Sequence, residues 1–228
     1  MSQYILNTKV LILAISLFLA SCASSYVYSP SLMLPSKPLM QNDVRASIGV
    51  EQLNESRPNA VYKINTPGVQ ANLNYAFTNY ISMQGKGWFD LYKYESGNYR
   101  SGCSLSATIL LNDSTNAFRY ALIPTYGLSF STQSPNRGQG VGIWFAAWFP
   151  TKTIVKPYAA SAIAAGAFYL SSIKDQFGYG LIINLGTAIE LTPKIDLNVE
   201  LPCSFIHSRY DMTNYFILSP AVALSYKF

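Results

Sequence analysis

Alternating side chains in residues 214–228 constrain this chain more than any other feature. Apolar residues recur there at every second position, with small or polar residues between them. The apolar set is Phe216, Leu218, Val222, Leu224, Tyr226 and Phe228. Successive residues of a β-strand point to opposite faces of its sheet, so this pattern is typical of a strand. The segment is therefore predicted to be a strand with one apolar face and one small or polar face.

The same period of two recurs from Val44 onward and predicts ten strands. Their predicted ranges are 44–52, 67–77, 80–91, 102–111, 117–131, 139–149, 153–169, 178–191, 194–207 and 214–228. Residues 159–167 are rich enough in alanine to leave a helix as the alternative there. The pattern as a whole predicts an all-β fold. We expect an antiparallel up-and-down barrel of about ten strands, with eight as the alternative.

Composition indicates that this barrel faces lipid. Charged residues make up 12% of the chain, about half the usual share for a soluble domain, and there are 17 Tyr and 12 Phe. The connections after even-numbered strands are short and the others longer, as in transmembrane barrels. The apolar phase would face lipid and the polar phase the lumen. Arginine is accordingly expected to cost more at Val199 than at Asn198. The charges assigned to the lumen, of both signs, are Arg45, Glu51, Lys86, Arg119, Glu190, Asp196, Glu200 and Lys227.

The N-terminus has the layout of a secretory signal. Lys9 precedes an apolar run over residues 10–20, which is too short to cross a hydrocarbon layer of roughly 30 Å. Leu19-Ala20-Ser21-Cys22 resembles the lipobox of bacterial lipoproteins, although an ordinary signal peptide is the alternative. The resemblance implies that residues 1–21 are removed and that Cys22 becomes an acylated, palmitate-bearing first residue. Residues 22–43, rich in Ser and Pro, are predicted to form a flexible periplasmic arm, followed by the barrel over residues 44–228.

No constellation for catalysis, a metal or a cofactor emerges from the sequence. Cys103 and Cys203 lie in apolar phases and are interpreted as small hydrophobes, and a single His leaves too few zinc ligands. His207 and Ser208 would point to opposite faces of a strand, so they cannot bond to each other. Asp196 or Glu200 could orient His207 only with help from the fold, which favours a histidine at the barrel rim.

Other residue patterns have structural interpretations. Trp88, Trp144, Trp148 and the many tyrosines are predicted to form the aromatic girdles of a membrane barrel. The glycines of residues 85–87 and 138–142 lack the context of a nucleotide site. Lys and Arg are scattered rather than clustered, which argues against a nucleic-acid partner.

The C-terminus carries a second resemblance. Residues 221–228 resemble the insertion signal of Gram-negative outer-membrane proteins, which implies that the barrel-insertion machinery recognises the strand ending in Phe228. The region 44–228 resembles a small outer-membrane β-barrel, and with the lipobox it is similar to uncharacterised outer-membrane lipoproteins of Bacteroidota. The resemblance implies an integral, lipid-anchored protein of the bacterial outer membrane, with the lipids of that membrane as partners. It indicates no protein partner.

Three functions are compatible with this sequence. The first is a non-enzymatic outer-membrane lipoprotein with a structural, envelope-stabilising or surface-interaction role. The second is a lipid-anchored, lipocalin-like periplasmic carrier of a small hydrophobic ligand, which needs an apolar interior and a wet exterior. The third is a lipid-modifying barrel enzyme. The continuous aromatic and apolar phase favours the first, because it suits a lipid-facing surface better than a small ligand cavity.

Overall fold

The described part of the chain consists of β-strands and their connections. The computed structural model describes residues 31–56, 64–91, 100–112, 118–131, 137–170, 173–208 and 214–228. The strands are β1 (Val44–Ser56), β2 (Ile64–Ala76), β3 (Ile81–Asp90), β4 (Arg100–Leu110), β5 (Arg119–Ser131), β6 (Arg137–Trp148), β7 (Val155–Leu170), β8 (Ile173–Thr192), β9 (Ile195–Ser208), β10 (Asn214–Leu218) and β11 (Ala221–Lys227). Among the described residues, no helix is long and apolar enough to cross a membrane.

The sheet closes into a barrel because β1 pairs with β2 on one side and with β10 and β11 on the other. All pairings are antiparallel. β10 and β11 both lie between β9 and β1, so they are two pieces of one barrel strand, interrupted at Ser219 and Pro220. Hydrogen bonds still cross the interruption: the Ser219 N–H donates to the Pro202 carbonyl and the Gln52 N–H to the Pro220 carbonyl, both at 2.9 Å. The predicted ten-stranded barrel is confirmed, and the eight-stranded alternative is wrong.

Strand lengths differ from the prediction mainly at β7 and β8. β7 runs as a strand of 16 residues through the alanine-rich stretch, so the helix alternative is wrong. β8 begins at Ile173 and has 20 residues, which leaves only residues 171–172 between β7 and β8. A longer loop was predicted there. At the other end of the barrel, the connections over residues 111–118 and 149–154 are longer than predicted. The contrast between short turns and long loops is therefore weaker than the sequence indicated.

The two faces of the strands lie as predicted. Apolar side chains on every strand point outward, and many are more than half exposed, such as Ile48 (68%), Ile163 (75%) and Leu185 (58%). Of the charges assigned to the lumen, Arg45, Glu51, Lys86 and Glu200 are buried. Because the barrel is closed, the backbone groups of each strand pair with those of its neighbours and no sheet edge is left unpaired. The exterior can therefore be apolar.

The inner face of the barrel divides into two walls of different chemistry. The polar wall is the inner face of β1, β2, β3, β9 and β11. Its buried side chains include Arg45, Ser47, Glu51, Gln70, Asn72, Asn74, Gln84, Lys86, Asn198, Glu200 and Ser225. The apolar wall is the largely apolar inner face of β5 to β8 and includes Ala121, Ile123, Trp144, Ala146, Ala160, Ala162, Ala164, Ile182 and Ala188. The buried polar residues of these strands include Thr125, Ser129 and Asn184. The expectation of a polar lumen is therefore correct for only one side of it.

Both ends of the barrel sequence meet at the same rim. The N–H of Phe228 donates to the carbonyl of Val44 at 3.0 Å, so the start of β1 lies beside the end of β11. This is the rim of the β2–β3 and β8–β9 turns, here called the short-turn end. An even number of antiparallel strands requires this arrangement.

Candidate functional site in the barrel lumen

Residues 31–39, here called the luminal segment, lie inside the barrel. Ser31, Met33 and Leu34 are 3%, 0% and 3% exposed. A flexible arm was predicted over residues 22–43, but its described part packs into the lumen and the adjoining turn. The physical reason is that both lumen walls offer partners to it, as set out below. Cys22 and the signal peptide lie outside the described residues, so acylation stays a prediction.

The luminal segment descends from mid-lumen to the short-turn end. Ser31 lies at the middle of the barrel, where its hydroxyl donates to Gln70 Oε1 at 2.8 Å. The Ser36 N–H lies 3.3 Å from Asp196 Oδ2, close to the start of β9. The Gln41 N–H donates to Asn79 Oδ1 in the β2–β3 turn at 2.8 Å. The segment therefore runs opposite to β1, which follows it in the sequence.

Five consecutive carbonyls of the luminal segment each accept a hydrogen bond from a side chain of the barrel. They belong to residues 31–35. In chain order the donors are Lys86 Nζ at 2.7 Å, Gln84 Nε2 at 3.1 Å, Arg45 Nη1 at 2.7 Å, Asn198 Nδ2 at 2.6 Å and Trp148 Nε1 at 3.0 Å. Four of these donors come from the polar wall. A buried carbonyl without a partner costs free energy, so this row of donors is what allows a chain without ladder bonds to lie there.

Glu200 receives the amide groups of the same segment. The N–H of Leu32 donates to Glu200 Oε2 at 2.8 Å and the N–H of Met33 to Oε1 at 2.6 Å. The Tyr158 hydroxyl donates to Oε1 as well, at 2.5 Å. Glu200 is 2% exposed, and a buried carboxylate is tolerated only when donors replace its water. Three donors meet that requirement here.

Gly186 makes the contact between Tyr158 and Glu200 possible. Gly186 pairs with Tyr158 on β7 and with Glu200 on β9, so the three residues form one row across three strands. A Cβ built at Gly186 would collide with the Tyr158 ring. The ring therefore lies over the missing side chain and reaches a carboxylate two strands away.

Arg45 joins the luminal segment to three strands of the polar wall. Besides Met33 O, its guanidinium donates to Asn198 Oδ1 and to Ser225 Oγ, both at 2.6 Å. Its Nε lies 3.9 Å from Asp196 Oδ2. The planar guanidinium, with its five N–H donors in a fixed geometry, serves these acceptors at once. Two of the opposite charges assigned to the lumen thus pair at Arg45 and Asp196.

The side chains of the luminal segment alternate between the two walls. Leu32 and Leu34 join the apolar wall in one buried cluster, whereas Met33 packs with Ala221 and Ala223 of β11. Met33 has φ 51°, a left-handed conformation that costs a non-glycine residue about 1–3 kcal/mol. Complete burial holds Met33 in that conformation, together with the hydrogen bonds of its N–H to Glu200 and of its carbonyl to Arg45.

Ion pairs close the short-turn end of the segment. Lys37 Nζ lies 2.8 Å from Glu190 Oε1, and Lys156 Nζ lies 3.7 Å from Oε2 of the same residue. Lys227 Nζ lies 2.7 Å from Asp43 Oδ2. Lys37 and Lys227 are well exposed, so these pairs add little stability and mainly fix the register at the rim.

The histidine considered for catalysis has no catalytic partner in its described surroundings. His207 Nδ1 lies 2.9 Å from Asn214 Oδ1, and the His207 ring packs against Tyr179 with 5.3 Å between centroids. Its side chain belongs to the outward phase of β9, whereas Asp196 and Glu200 belong to the inward phase. Neither carboxylate can therefore orient it.

The tryptophan prediction is wrong. Trp144 and Trp148 are 1% and 5% exposed and point into the lumen, and Trp88 lies in the inward phase of β3 with its ring over Gly102. Cys103 and Cys203 are free thiols in outward phases, in line with their interpretation as small hydrophobes. Within the described residues, no cluster of His, Cys, Asp or Glu could hold a metal ion.

Sequence reasoning missed the luminal segment itself. A signal was present: residues 32–34, Leu-Met-Leu, form a short apolar run inside an otherwise Ser- and Pro-rich stretch. A second signal was that β6 has apolar residues on both faces. The inward face of such a strand needs an apolar partner in the lumen.

Chemically, the assembled site binds and orients a backbone that is left-handed at Met33. It presents donors to carbonyls, a carboxylate to amides and an alanine-rich surface to two leucines.

Comparisons with known proteins support the fold. No family model matches the chain, and no curated protein does. The outer membrane protease OmpT from Escherichia coli has a similar structure, with TM-score 0.54 and 11% identity over 85% of this chain and 100% of that one. An outer membrane channel from Pseudomonas putida F1 gives TM-score 0.52 and 9% identity over 83% of this chain and 97% of that one. At such identities the likeness concerns the fold alone, which is that of an outer-membrane barrel.

Proposed function

We propose that this chain is an integral outer-membrane β-barrel lipoprotein, anchored through Cys22 and closed by its own luminal segment. Its role is structural, envelope-stabilising or surface-interacting rather than enzymatic. In this proposal the short-turn end faces the periplasm, the outer-membrane lipids surround the strands, and the barrel-insertion machinery recognises the strand that ends in Phe228.

The outward band of apolar side chains is the observation that carries the proposal. It continues around the barrel and includes Leu73, Leu105, Ile143, Leu185 and Leu224, each 50–58% exposed. Monomeric soluble proteins rarely expose contiguous apolar patches beyond a few hundred Å². A closed ladder with such an exterior is the arrangement that a lipid environment stabilises.

Aromatic residues border this band at both ends. At the short-turn end the exposed rings are Tyr75, Phe77, Tyr80, Phe118, Phe149, Tyr226 and Phe228. At the opposite end they are Phe89, Phe130, Tyr179, Phe205 and Phe216. Lys194 Nζ lies 5.9 Å from the centroid of the Tyr226 ring, beside the first set. Rings at these two levels suit the two membrane interfaces.

The occupied lumen supports a closed barrel rather than a general diffusion pore. The luminal segment bonds to the polar wall and packs on the apolar wall at the same height. A solute crossing the barrel would have to displace it. The narrow lumens of small barrels are filled in a comparable way by side chains.

The two alternatives have weaker support. A lipocalin-like carrier needs a wet exterior, whereas this exterior is apolar. A barrel enzyme needs a base beside a nucleophile, and His207 faces away from the carboxylates of its strand. The protease activity in the name of one similar structure is a property of that protein.

Membrane extraction tests the proposal. A Cys22→Ser variant exported by an ordinary signal peptide should stay in the membrane fraction through alkaline carbonate, because the apolar band holds it there. Release as a folded monomer that needs no detergent would contradict the proposal and favour the carrier. In the unaltered chain, Cys22 should take up a lipid label that Cys22→Ser does not. A mature N-terminus that is unmodified and differs from Cys22 would overturn the anchor alone.

A further inference from the structure

We infer that the lumen is a binding site for a short, uncharged peptide, and that residues 31–36 are a tethered ligand in it. A site of this kind accepts a free peptide of the same chemistry once the tether is cut. It goes beyond the proposed function and does not depend on where the barrel resides.

The barrel recognises the backbone of residues 31–36 rather than a particular set of side chains. Carbonyls 31–35 each have a wall donor, and three of the amides have a carboxylate acceptor, Glu200 or Asp196. Peptide-binding proteins commonly obtain affinity from main-chain hydrogen bonds and specificity from pockets for alternate side chains. In β-augmentation the hydrogen bonds come from the backbone of a neighbouring strand, whereas here they come from side chains of the barrel wall.

Two pockets give the site its side-chain preference. Leu32 and Leu34 join the buried apolar cluster that includes Ala160 and Ala162, and Leu34 also lines a cavity with Leu110 and Trp148. Met33, between them, packs with Ala221 and Ala223 of β11. The preferred peptide therefore has branched apolar residues at two alternate positions and no charge between them.

The barrel ladder is complete without the luminal segment. Among the described residues, no backbone-to-backbone hydrogen bond joins residues 31–39 to a strand, and β1 is paired on both sides by other strands. The segment can therefore leave without breaking the sheet. An ordinary β-strand of the core does not have this property, because its removal opens the ladder on both sides.

The tether explains why a free peptide would not enter the intact protein. A short linker gives a tethered ligand an effective concentration in the millimolar range. A free peptide at micromolar concentration then occupies little of the site, because the effective concentration of the tethered segment is far higher. Cutting the linker removes that advantage and leaves every residue of the protein present.

The experiment cuts the linker after folding. A protease recognition sequence is inserted between Met40 and Gln41, both exposed, and the purified full-length barrel is cleaved in detergent. The probe is a blocked peptide of residues 31–36 with a fluorophore beyond Ser36, the end that faces the short-turn rim. Fluorescence anisotropy then reports its uptake, and mass spectrometry reports loss of the original segment.

The expected result is saturable uptake by the cleaved barrel and none by the uncleaved one at micromolar peptide. Two control peptides separate the sources of affinity. N-methylation of the Leu32 and Met33 amides removes both bonds to Glu200 and should weaken binding at least tenfold. Aspartate in place of Leu32 and Leu34 should abolish uptake by burying charge in the apolar pockets.

Three outcomes would overturn the inference. The first is a cleaved barrel that has lost its segment yet takes up no peptide. The second is a segment that never exchanges after cleavage, which would make it an inseparable part of the core. The third is equal binding of the N-methylated peptide. Failure of carbonate resistance, by contrast, would overturn the membrane proposal and leave this one standing.

Discussion

The polar and apolar walls of one lumen hold the same segment by different means. The polar wall offers directed donors and acceptors to its backbone, and the apolar wall offers an alanine-rich surface to its leucines. Changes on the polar wall leave charges or amides without partners, whereas changes on the apolar wall leave cavities. The direction and register of the luminal segment therefore depend on the polar wall, and its tight packing depends on the apolar wall.

The largest effect is expected where an extra charge enters the polar wall. Asn198 is fully buried and bonds to Leu34 O and to Arg45, so Asn198→Arg places a second cation beside Arg45. We expect a loss of about 5 kcal/mol in the free energy of unfolding, the upper range for an uncompensated buried charge. Val199→Arg on the lipid face should cost roughly 2–4 kcal/mol. Unfolding in bilayers ranks the two.

That order reverses the one expected from sequence alone. Water and the nearby carboxylates were expected to accept an arginine at position 198, but the luminal segment already occupies that space. A larger cost at Val199 than at Asn198 would mean that residues 31–39 do not fill the lumen.

Removal of the central carboxylate should come next. Glu200→Ala leaves the amides of Leu32 and Met33 and the Tyr158 hydroxyl without an acceptor, and leaves the cation of Arg45 less balanced. The expected loss is about 4 kcal/mol, measured by urea unfolding with tryptophan fluorescence. Glu200→Gln is the matched control and should lose clearly less, since it keeps one acceptor oxygen. Equal losses would argue against a special role for the carboxylate.

A cavity in the apolar wall should cost less than an unpaired charge. Leu34→Ala removes a leucine that is 3% exposed within the buried cluster, at about 3 kcal/mol. Leu34→Met keeps the volume and should cost less than about 1.5 kcal/mol. If Leu34→Ala proved neutral in urea unfolding, the apolar wall would not hold the segment.

The smallest effect is expected at the junction of the two walls. Gly186→Ala should push the Tyr158 ring away from Glu200, at about 2 kcal/mol. In a Tyr158→Ala background the same change should be nearly neutral, because the clash is gone. A double-mutant cycle measures this coupling. Additive losses would mean that Gly186 matters for the strand rather than for the tyrosine.

The barrel was predictable from sequence because its signal is local. Each strand carries its own alternation, so β9 and β11 were recognised from residues such as Leu197, Val199 and Leu224 without knowledge of their neighbours. Arg45 and Glu200 were assigned to the lumen by the same phase. The sequence of β7 was ambiguous because alanine also favours helices. Its pairing with β6 and β8, which no local pattern indicates, makes it a strand.

The site was not predictable in the same way because it depends on contacts between distant residues. Met33 and Glu200 are separated by 167 positions, and no local pattern links them. The tryptophans were assigned by residue type to the membrane interfaces, although the phase of Trp144 and Trp148 puts them in the lumen. Phase along the strand was the better guide than residue type.

A cysteine pair tests the position of the luminal segment most directly. Met33 packs against Ala223 of β11, so Met33→Cys with Ala223→Cys should form a disulfide under mild oxidation in membranes, in a background with Cys103 and Cys203 replaced by alanine. The control pair, Met33→Cys with Leu224→Cys, places the second thiol on the outward face and should stay reduced. A crosslink confined to the first pair is the result predicted for a segment inside the barrel. No crosslink at position 223, or equal crosslinking at 223 and 224, would contradict it.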